Sequence, residues 1–205
     1  QFGDKAAARS LAEQCDVPVL PGISRAVTRA EATEFMQQTK ASGIMLKAIA
    51  GGGGRGMRPV FEASELEEAF ARASSEAATA FGSGDLYVEE LLPRARHIEV
   101  QIVGDGGGRA VHLWDRECSL QRQRQKVIEI APAFDLPETL RETMLKAAVR
   151  MAGAANYRGV GTIEFLIDQH SDAPRFVFLE ANARLQVEHT VTEAVTGLDL
   201  VALQL

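Results

Sequence analysis

Apolar residues recur along this chain with two different periods, and the change of period separates helical from extended segments. Helical spacing predicts helices over residues 4–14, 28–43, 64–80 and 137–155, and again from residue 190 onward. Thr28 is placed to cap the second of these helices, and Ser64 with Glu67 three residues later predicts a capping box for the third. Long amphipathic helices of this kind need a sheet or other helices to cover their apolar faces.

Alternating and short apolar runs predict strands between these helices. The predicted strands cover residues 44–48, 57–61, 86–90, 97–103, 110–114, 161–167 and 176–181. In 97–103, isoleucine and valine fill one face while His97, Glu99 and Gln101 fill the other, which makes a polar face able to carry a site. Helices and antiparallel hairpins come in blocks instead of a regular βαβ repeat, so the predicted fold class is α+β.

Composition narrows the functional classes. The 205 residues are 46% hydrophobic and 24% charged, with a net charge of −6, which is typical of a soluble globular protein and disfavours nonspecific binding to nucleic acid or anionic membranes. The sequence contains no apolar run long enough for a membrane span and no signal peptide. Cys15 and Cys118 are lone thiols, which indicates a reducing compartment such as the cytoplasm; we expect both to be buried. The chain starts at Gln1 and stops at Leu205 inside an apolar pattern, and we interpret it as a piece of a longer polypeptide.

The glycine run of residues 51–56 is the first candidate for chemistry. It spells GxGxxG, but a strand follows it where a dinucleotide site needs a helix, and Arg55 stands where a Walker A loop needs lysine. What remains is a hairpin whose unhindered N–H groups suit phosphates, with a ligand-free linker as the alternative. Lys47 places an ammonium beside this loop. Lys5 is a second candidate, with a solvated surface lysine as its alternative.

Carboxylates in apolar strands are the strongest candidate. Glu164 lies within an apolar strand, and Glu180 and Asn182 share one face of the returning strand. Burying carboxylates is costly unless they are paired or bind a metal, and two carboxylates with an amide oxygen suit Mg²⁺. The alternative is an edge hairpin with solvated acids.

Polar residues that follow this hairpin extend the candidate site. Arg184, Gln186 and Glu188 alternate with apolar residues, so we predict that they project together. An arginine suits a planar oxyanion, and a glutamate beside it can take a proton. His189 is predicted to be structural, on the opposite face. The basic stretch 121–126 is a solvated face or a nucleic-acid patch, and the acidic total argues against nucleic acid.

Taken in order, these motifs resemble the biotin carboxylase branch of the ATP-grasp enzymes over essentially the whole chain. They are Gly3-Asp4-Lys5, Lys47-Ala48 with the glycine loop through Met57, Arg96-His97-Ile98-Glu99, the segment 115–122, Gln125-Lys126, and the segments 161–165, 180–184 and 186–189. The glycine loop and the acidic pair fit any ATP-grasp ligase, whereas the segments 118–122 and 186–189 are specific to this branch.

The resemblance implies a lid subdomain at about 18–90, a larger subdomain at about 91–205, and ATP between them. It implies nucleotide-binding roles for Lys5, Lys47, Gly53, Gly54, Glu89, Glu90, Leu91, Leu92, His97 and Arg124. It implies two Mg²⁺ or Mn²⁺ ions on Glu164, Glu180 and Asn182, and bicarbonate on Lys126, Arg184, Gln186 and Val187. Arg184, Glu188 and Lys126 are the implied catalytic residues, with Glu188 as the base that deprotonates bicarbonate before carboxyphosphate forms and biotin is carboxylated.

The resemblance also implies partners and limits. The implied partners are a biotin carboxyl carrier domain and a carboxyltransferase, with neither nucleic acid nor membrane, in the cytoplasm or, in a eukaryote, the mitochondrial matrix. The family has further subdomains before Lys5 and after Leu205, so we expect this piece to be monomeric and to bind ATP weakly without efficient turnover. Arg124 stands where the family usually has histidine, which predicts altered nucleotide affinity.

Three other functions remain as alternatives. They are another ATP-grasp ligase such as a carbamoyl-phosphate synthetase half, a non-catalytic nucleotide-binding module and, at a distance, a dinucleotide-dependent oxidoreductase.

Overall fold

The structure is a computed structural model that describes residues 2, 5–50, 56–168 and 175–205. Two compact units make up the chain, each built on its own antiparallel sheet. The first unit comprises Gln1–Val19, Arg94–Arg122 and Lys126–Leu205, and the second comprises Leu20–Pro93 and Gln123–Gln125. Helices packed against antiparallel sheets confirm the predicted α+β class.

The second unit is a small sheet covered by two helices. Its elements are β1 (Gly22–Ile23), α2 (Arg29–Gln38), β2 (Ile44–Ala48), β3 (Met57–Val60), a 3₁₀ turn (Ala63–Glu65), α3 (Leu66–Phe81) and β4 (Leu86–Glu90). The strands lie in the order β1-β4-β2-β3. Ile44, Leu46 and Val88 of the sheet pack with residues of both helices in one apolar core, as the predicted periodicities require.

The end of α2 and the start of α3 differ from their predicted positions. Thr28 caps α2 in a reciprocal capping box with Glu31, but the helix ends at Gln38 and not at Gly43. The capping box predicted for Ser64 and Glu67 is wrong, because Ser64 lies inside the 3₁₀ turn and α3 begins at Leu66 without a side-chain cap. The extra turn moves the helix start two residues along the chain.

The first unit carries a larger sheet, and two of its helices pack against the apolar face of that sheet. Its elements are α1 (Lys5–Gln14), β5 (Arg96–Asp105), β6 (Ala110–Arg122), β7 (Gln125–Ile130), α4 (Glu138–Ala154), β8 (Arg158–Asp168), β9 (Arg175–Asn182), α5 (His189–Thr196) and α6 (Leu200–Gln204). The strand order is β7-β6-β5-β8-β9. Apolar residues of β5 and β8, such as Ile98, Val100 and Ile163, pack with Met144 and Met151 of α4. The opposite face of these two strands therefore presents their polar side chains.

Strand β7 and the long end of β6 depart from the prediction. The basic stretch 121–126 is exposed except for the partly buried Lys126, and it forms a hairpin in which β6 continues to Arg122 and β7 begins at Gln125. Gln123 and Arg124 form the turn between them, both with positive φ. Positive φ at both central residues is the geometry that matches the twist of a two-residue hairpin, although glycine and asparagine usually supply it.

The burial of the two cysteines and the character of the helices can be compared with the predictions made from composition. Cys118 is buried as expected, whereas Cys15 is only partly buried; neither forms a disulfide. Within the described ranges, none of the helices has both the length and the apolar character that crossing a bilayer requires.

Candidate active site

A row of charged residues crosses four strands on the polar face of the first unit's sheet. Register places Arg116 of β6 opposite Glu99 of β5, Glu99 opposite Glu164 of β8, and Glu164 opposite Glu180 of β9. Glu99 and Arg116 are fully buried, and Glu164 is 2% exposed. Like charges directly opposite each other destabilise a sheet, and buried charges need partners, so this row requires cations around it.

Lys126 supplies the central cation. Its Nζ donates to Glu99 Oε2 at 2.5 Å, to Glu188 Oε1 at 2.5 Å and to Glu164 Oε1 at 3.3 Å. Three donors and three carboxylates satisfy an ammonium completely. Cys118 Sγ and carboxylate oxygens of Glu99 and Glu188 also lie within 4.8 Å of one another, but Lys126 already bridges the two carboxylates, so we assign this cluster to the ammonium and not to a metal.

Arg116, at the β6 end of the row, supplies the second cation. Its Nε donates to Glu99 Oε1 at 2.6 Å, and its Nη1 donates to Gln101 Oε1 at 2.8 Å and to Thr192 Oγ1 at 2.7 Å. Glu99 is therefore bound on one oxygen by Arg116 and on the other by Lys126. A buried carboxylate held on both oxygens is fixed in orientation as well as in charge.

Glu164 is surrounded by N–H donors. Asn182 Nδ2 donates to Oε1 at 2.6 Å and Gln186 Nε2 donates to the same oxygen at 3.1 Å, while His97 Nε2 lies 2.5 Å from Oε2. Gln121 Nε2 donates to His97 Nδ1 at 2.7 Å, so Nε2 is the protonated ring nitrogen that faces Glu164. The structure thus brings together four of the residues predicted from the sequence for metal, nucleotide and bicarbonate.

Burial and charge shift the pKa values of this cluster in different directions. Burial by itself raises the pKa of Glu164, but the hydrogen bond and electrostatic attraction of His97, joined by Lys126, hold it well below its usual range. Burial raises the pKa of Glu99 despite the attraction of Arg116. Burial opposes the charge on Lys126, but Glu164 and Glu99 raise its pKa overall. Burial also opposes the charge on Glu188, but the hydrogen bond from Lys126 lowers its pKa.

The donor set fits a hard divalent cation. Glu164 and Glu180 are cross-strand partners, and Asn182 hydrogen-bonds to Glu164 from the same strand as Glu180. Carboxylate and amide oxygens are the ligands that Mg²⁺ prefers. Three carboxylates contact the single ammonium of Lys126, and this surplus of negative charge also suits a cation.

The segment after β9 corrects one prediction. Residues 183–188 form a loop and a turn, not an alternating strand, yet Gln186 and Glu188 reach the same cluster, through Glu164 and Lys126 respectively. Gln186 is buried and accepts from Thr162 Oγ1 at 2.6 Å, and Glu188 contacts Lys126. Arg184 is exposed and its Nη1 donates to the Leu185 carbonyl at 3.2 Å, and Val187 is 90% exposed.

Two further residues of the first unit, His189 and Lys5, were singled out from the sequence. His189 Nδ1 lies 2.8 Å from the Gln186 carbonyl oxygen, in agreement with the structural role predicted for this histidine. Lys5 is the first residue of α1 and is partly buried.

In the second unit, Lys47 and Glu89 form a buried ion pair on neighbouring strands. The Lys47 ammonium also lies 5.9 Å from the ring centroid of Tyr87. Glu90 accepts from Thr39 Oγ1 at 2.5 Å, and the Leu91 N–H donates to the Gly43 carbonyl at 3.0 Å.

The remaining nucleotide-binding predictions in this unit are Leu92, Gly53 and Gly54. Leu92 is partly buried directly after β4. Gly53 and Gly54 lie outside the described residues.

Arg124 lies at the β6–β7 turn with its guanidinium against the edge strand β3. Its Nη1 donates to the carbonyl oxygen of Met57, and burial together with the nearby charge of Arg58 lowers its pKa. Met57, Arg58 and Arg124 belong to the lining of a cavity of about 870 Å³ in this unit, beside charged residues of α3.

Residues of this network that were not among the predicted site residues include the buried Glu99, Arg116 and Thr192 and the exposed Gln121. A signal existed for Glu99, which stands on the polar face of a strictly alternating strand. Nothing in the local sequence distinguishes Thr192 from its helical neighbours, because its role depends on an arginine 76 residues earlier.

Comparisons with known proteins agree with this geometry. Residues 4–205 match the family model described as carbamoyl-phosphate synthase L chain, ATP binding domain. The chain is 52% identical over 204 residues to pyruvate carboxylase from Aspergillus niger, covering 100% of this chain and 17% of that protein.

Two solved structures are similar in fold and sequence. A biotin carboxylase from Campylobacter jejuni, in a β-γ-ATP complex, has a TM-score of 0.90 and 45% identity over 98% of this chain and 44% of that one. The biotin carboxylase domain of 2-oxoglutarate carboxylase from Hydrogenobacter thermophilus, in complex with MgADP, ADP and bicarbonate, has a TM-score of 0.92 and 39% identity over 99% of this chain and 44% of that one. The chain therefore spans less than half the length of each relative.

Proposed function

Because the chain belongs to the family of carbamoyl-phosphate synthase L chain ATP binding domains, we propose that it carries out ATP- and bicarbonate-dependent carboxylation of carrier-bound biotin within a longer protein. The observation that carries this proposal is the contact of Lys126 with Glu188 beside the acidic pair Glu164 and Glu180. An ammonium, a base and a hard-cation site are the parts that phosphorylation of bicarbonate needs. The identity to two biotin carboxylases supports biotin as the acceptor.

The first chemical step uses the Lys126–Glu188 pair. In the proposed step, the Glu188 carboxylate takes the bicarbonate proton while a bicarbonate oxygen attacks the γ-phosphorus of ATP. An oxygen–phosphorus bond forms, the bond to the β-phosphate oxygen breaks, and ADP and carboxyphosphate result. The carbon–oxygen bond of carboxyphosphate then breaks to give phosphate and carbon dioxide, the phosphate takes the N–H proton of biotin, and that nitrogen bonds to the carbon dioxide.

The hydrogen bond between Lys126 and Glu188 explains how a carboxylate of low pKa can act as this base. Burial opposes the charge on Glu188, but the hydrogen bond from Lys126 lowers the pKa of this carboxylate overall. When the ammonium turns to a bicarbonate oxygen, Glu188 loses the donor that stabilises its anion, so its proton affinity rises at the step that needs a base. Lys126 meanwhile holds the negative charge of the substrate, with Gln186 and Arg184 as the further proposed bicarbonate contacts.

Glu164, Glu180 and Asn182 would hold Mg²⁺, which neutralises phosphate charge during phosphoryl transfer. Nucleotide binding by Lys5, Lys47, His97 and the other predicted residues stays a prediction, as does the identification of the second unit with the lid. We further propose a biotin carrier domain and a carboxyltransferase as partners, and a cytoplasmic or mitochondrial matrix location. The A. niger relative supports pyruvate as the final acceptor.

The test follows the carboxyl group. The longer polypeptide that contains this chain is incubated with ATP, Mg²⁺, labelled bicarbonate and free biotin, and label on biotin is measured, with Glu188→Ala as the matched control. Label that depends on ATP and is lost in the variant supports the proposal. ADP release that ammonia stimulates without biotin would indicate a carbamoyl-phosphate synthetase half, and nucleotide binding without turnover would indicate a non-catalytic module. Residues 1–205 alone are expected to bind ATP weakly without efficient turnover.

A further inference from the structure

We propose that Arg116 is a positioning residue that sets the distance between Lys126 and Glu188, an inference that rests on the proposed function. Arg116 is fully buried in the charged row on the polar face of the sheet, and its donors reach two different elements, β5 and α5. It is therefore placed to act through Glu99 and Thr192, and not on the substrate itself.

The contacts around Arg116 close into a ring. Arg116 binds Glu99 at 2.6 Å, Glu99 binds Lys126 at 2.5 Å, and Lys126 binds Glu188 at 2.5 Å. The return path runs along α5, because Glu188 is the N-cap of that helix and Thr192, 2.7 Å from Arg116, lies within it. The acid–base pair of the proposed reaction is thus one side of a closed loop of which Arg116 is the opposite corner.

Helix geometry makes this return path short and stiff. Thr192 follows Glu188 by four residues, so the two lie one turn apart on the same face of the helix. The Thr192 side chain is 1% exposed, and its hydroxyl accepts directly from Arg116. Fixing Thr192 therefore fixes the rotation and height of the turn from which Glu188 projects.

The guanidinium suits this role better than an ammonium. Its Nε and Nη1 donate in three directions at once to Glu99, Gln101 and Thr192. A planar fork holds such partners at set angles, whereas lysine offers a point charge on a flexible stem. A small rotation of α5 changes the reach between an ammonium and a carboxylate, and reaction rates fall steeply with such misplacement.

The experiment removes one contact of the ring without removing a buried charge. Thr192→Val in the longer polypeptide keeps the side-chain shape and deletes the hydroxyl, Thr192→Ser restores the hydroxyl, and Thr190→Val makes the same change at an exposed position of α5. Each variant is assayed for bicarbonate-dependent ATP turnover, for the KM of bicarbonate, for the Kd of ATP and for Tm. Arg116→Lys serves as a second test that keeps the charge and loses the fork.

We expect Thr192→Val to lower kcat about tenfold, because the loss of one charge-assisted hydrogen bond misplaces Glu188 relative to Lys126. The Kd of ATP should stay unchanged within about twofold. Thr192→Ser and Thr190→Val should keep kcat within about twofold, and Arg116→Lys should lower it at least as much as Thr192→Val. The inference is overturned if Thr192→Val keeps the wild-type kcat, or if Thr192→Ser lowers kcat as much as Thr192→Val does. Wild-type protein without bicarbonate-dependent turnover overturns the proposed function instead.

Discussion

The buried ion pair between Arg96 and Glu117 offers the sharpest test of how the first unit is held together. Arg96 Nε donates to Glu117 Oε2 at 2.9 Å, and its Nη1 donates to the Asp135 carbonyl at 3.1 Å. Both side chains are less than 10% exposed. Glu117 also accepts from Ser119 Oγ, which in turn accepts from the His97 N–H at 2.8 Å, so the pair supports the strand that carries His97.

Removing one member leaves the other charge buried without a counterion. Arg96→Met strands the Glu117 carboxylate and should lower the free energy of unfolding by about 3–5 kcal/mol. Glu117→Gln should cost less, about 2 kcal/mol or the value of a hydrogen bond to a charged group, because Arg96 keeps the Phe134 and Asp135 carbonyl oxygens as acceptors. In the double variant no buried charge is left, so its cost should fall short of the sum by about 2 kcal/mol.

Urea unfolding at constant pH measures all three variants, with the exposed pair of Arg72 and Glu68 as the control. Glu68→Gln should change stability by no more than about 0.5 kcal/mol, because exposed pairs one helical turn apart contribute little. If the costs of Arg96→Met and Glu117→Gln sum to the cost of the double variant within about 0.5 kcal/mol, the reasoning is refuted, because additivity is the behaviour of independent sites.

Four further predictions concern the second unit and the sheet of the first. Thr28→Ala should lower the free energy of unfolding by about 1 kcal/mol in urea, because it deletes the α2 cap. Hydrogen bonds from Arg25 and Thr28 lower the pKa of Glu31 to about 2 from an ordinary 4.5; its contribution is therefore present above pH 4.5 and lost as pH falls towards 2. The stability gap between wild type and Glu31→Gln should close over that range, and a constant gap contradicts this. Gly104→Ala should lower Tm sharply, because a Cβ there overlaps a backbone carbonyl oxygen; an unchanged Tm contradicts it. Arg124→His should change the Kd of ATP measured by calorimetry, and an unchanged Kd contradicts the predicted nucleotide role.

Local patterns predicted most elements because one face of each is buried. Strand 97–103 and the helix at 137–155 were found within a few residues of their ends, since alternation and helical spacing reflect the side that meets the core. Strand β7 was missed because it lies at the sheet edge, with few of its residues buried and no alternation to detect. The resemblance to biotin carboxylases is confirmed by the relatives.

Some features of the candidate site could likewise be predicted from local patterns, and others could not. The sequence by itself determined the α+β class, the family and most of the charged residues that matter, because periodicity and motifs are local properties of the chain. The tertiary structure alone decided that Arg116, Glu99, Glu164 and Glu180 form one row, and that Thr192 closes the ring to Glu188. Strand register and helix packing bring residues together over long separations, and a shift of one residue would turn the whole row to the other face of the sheet.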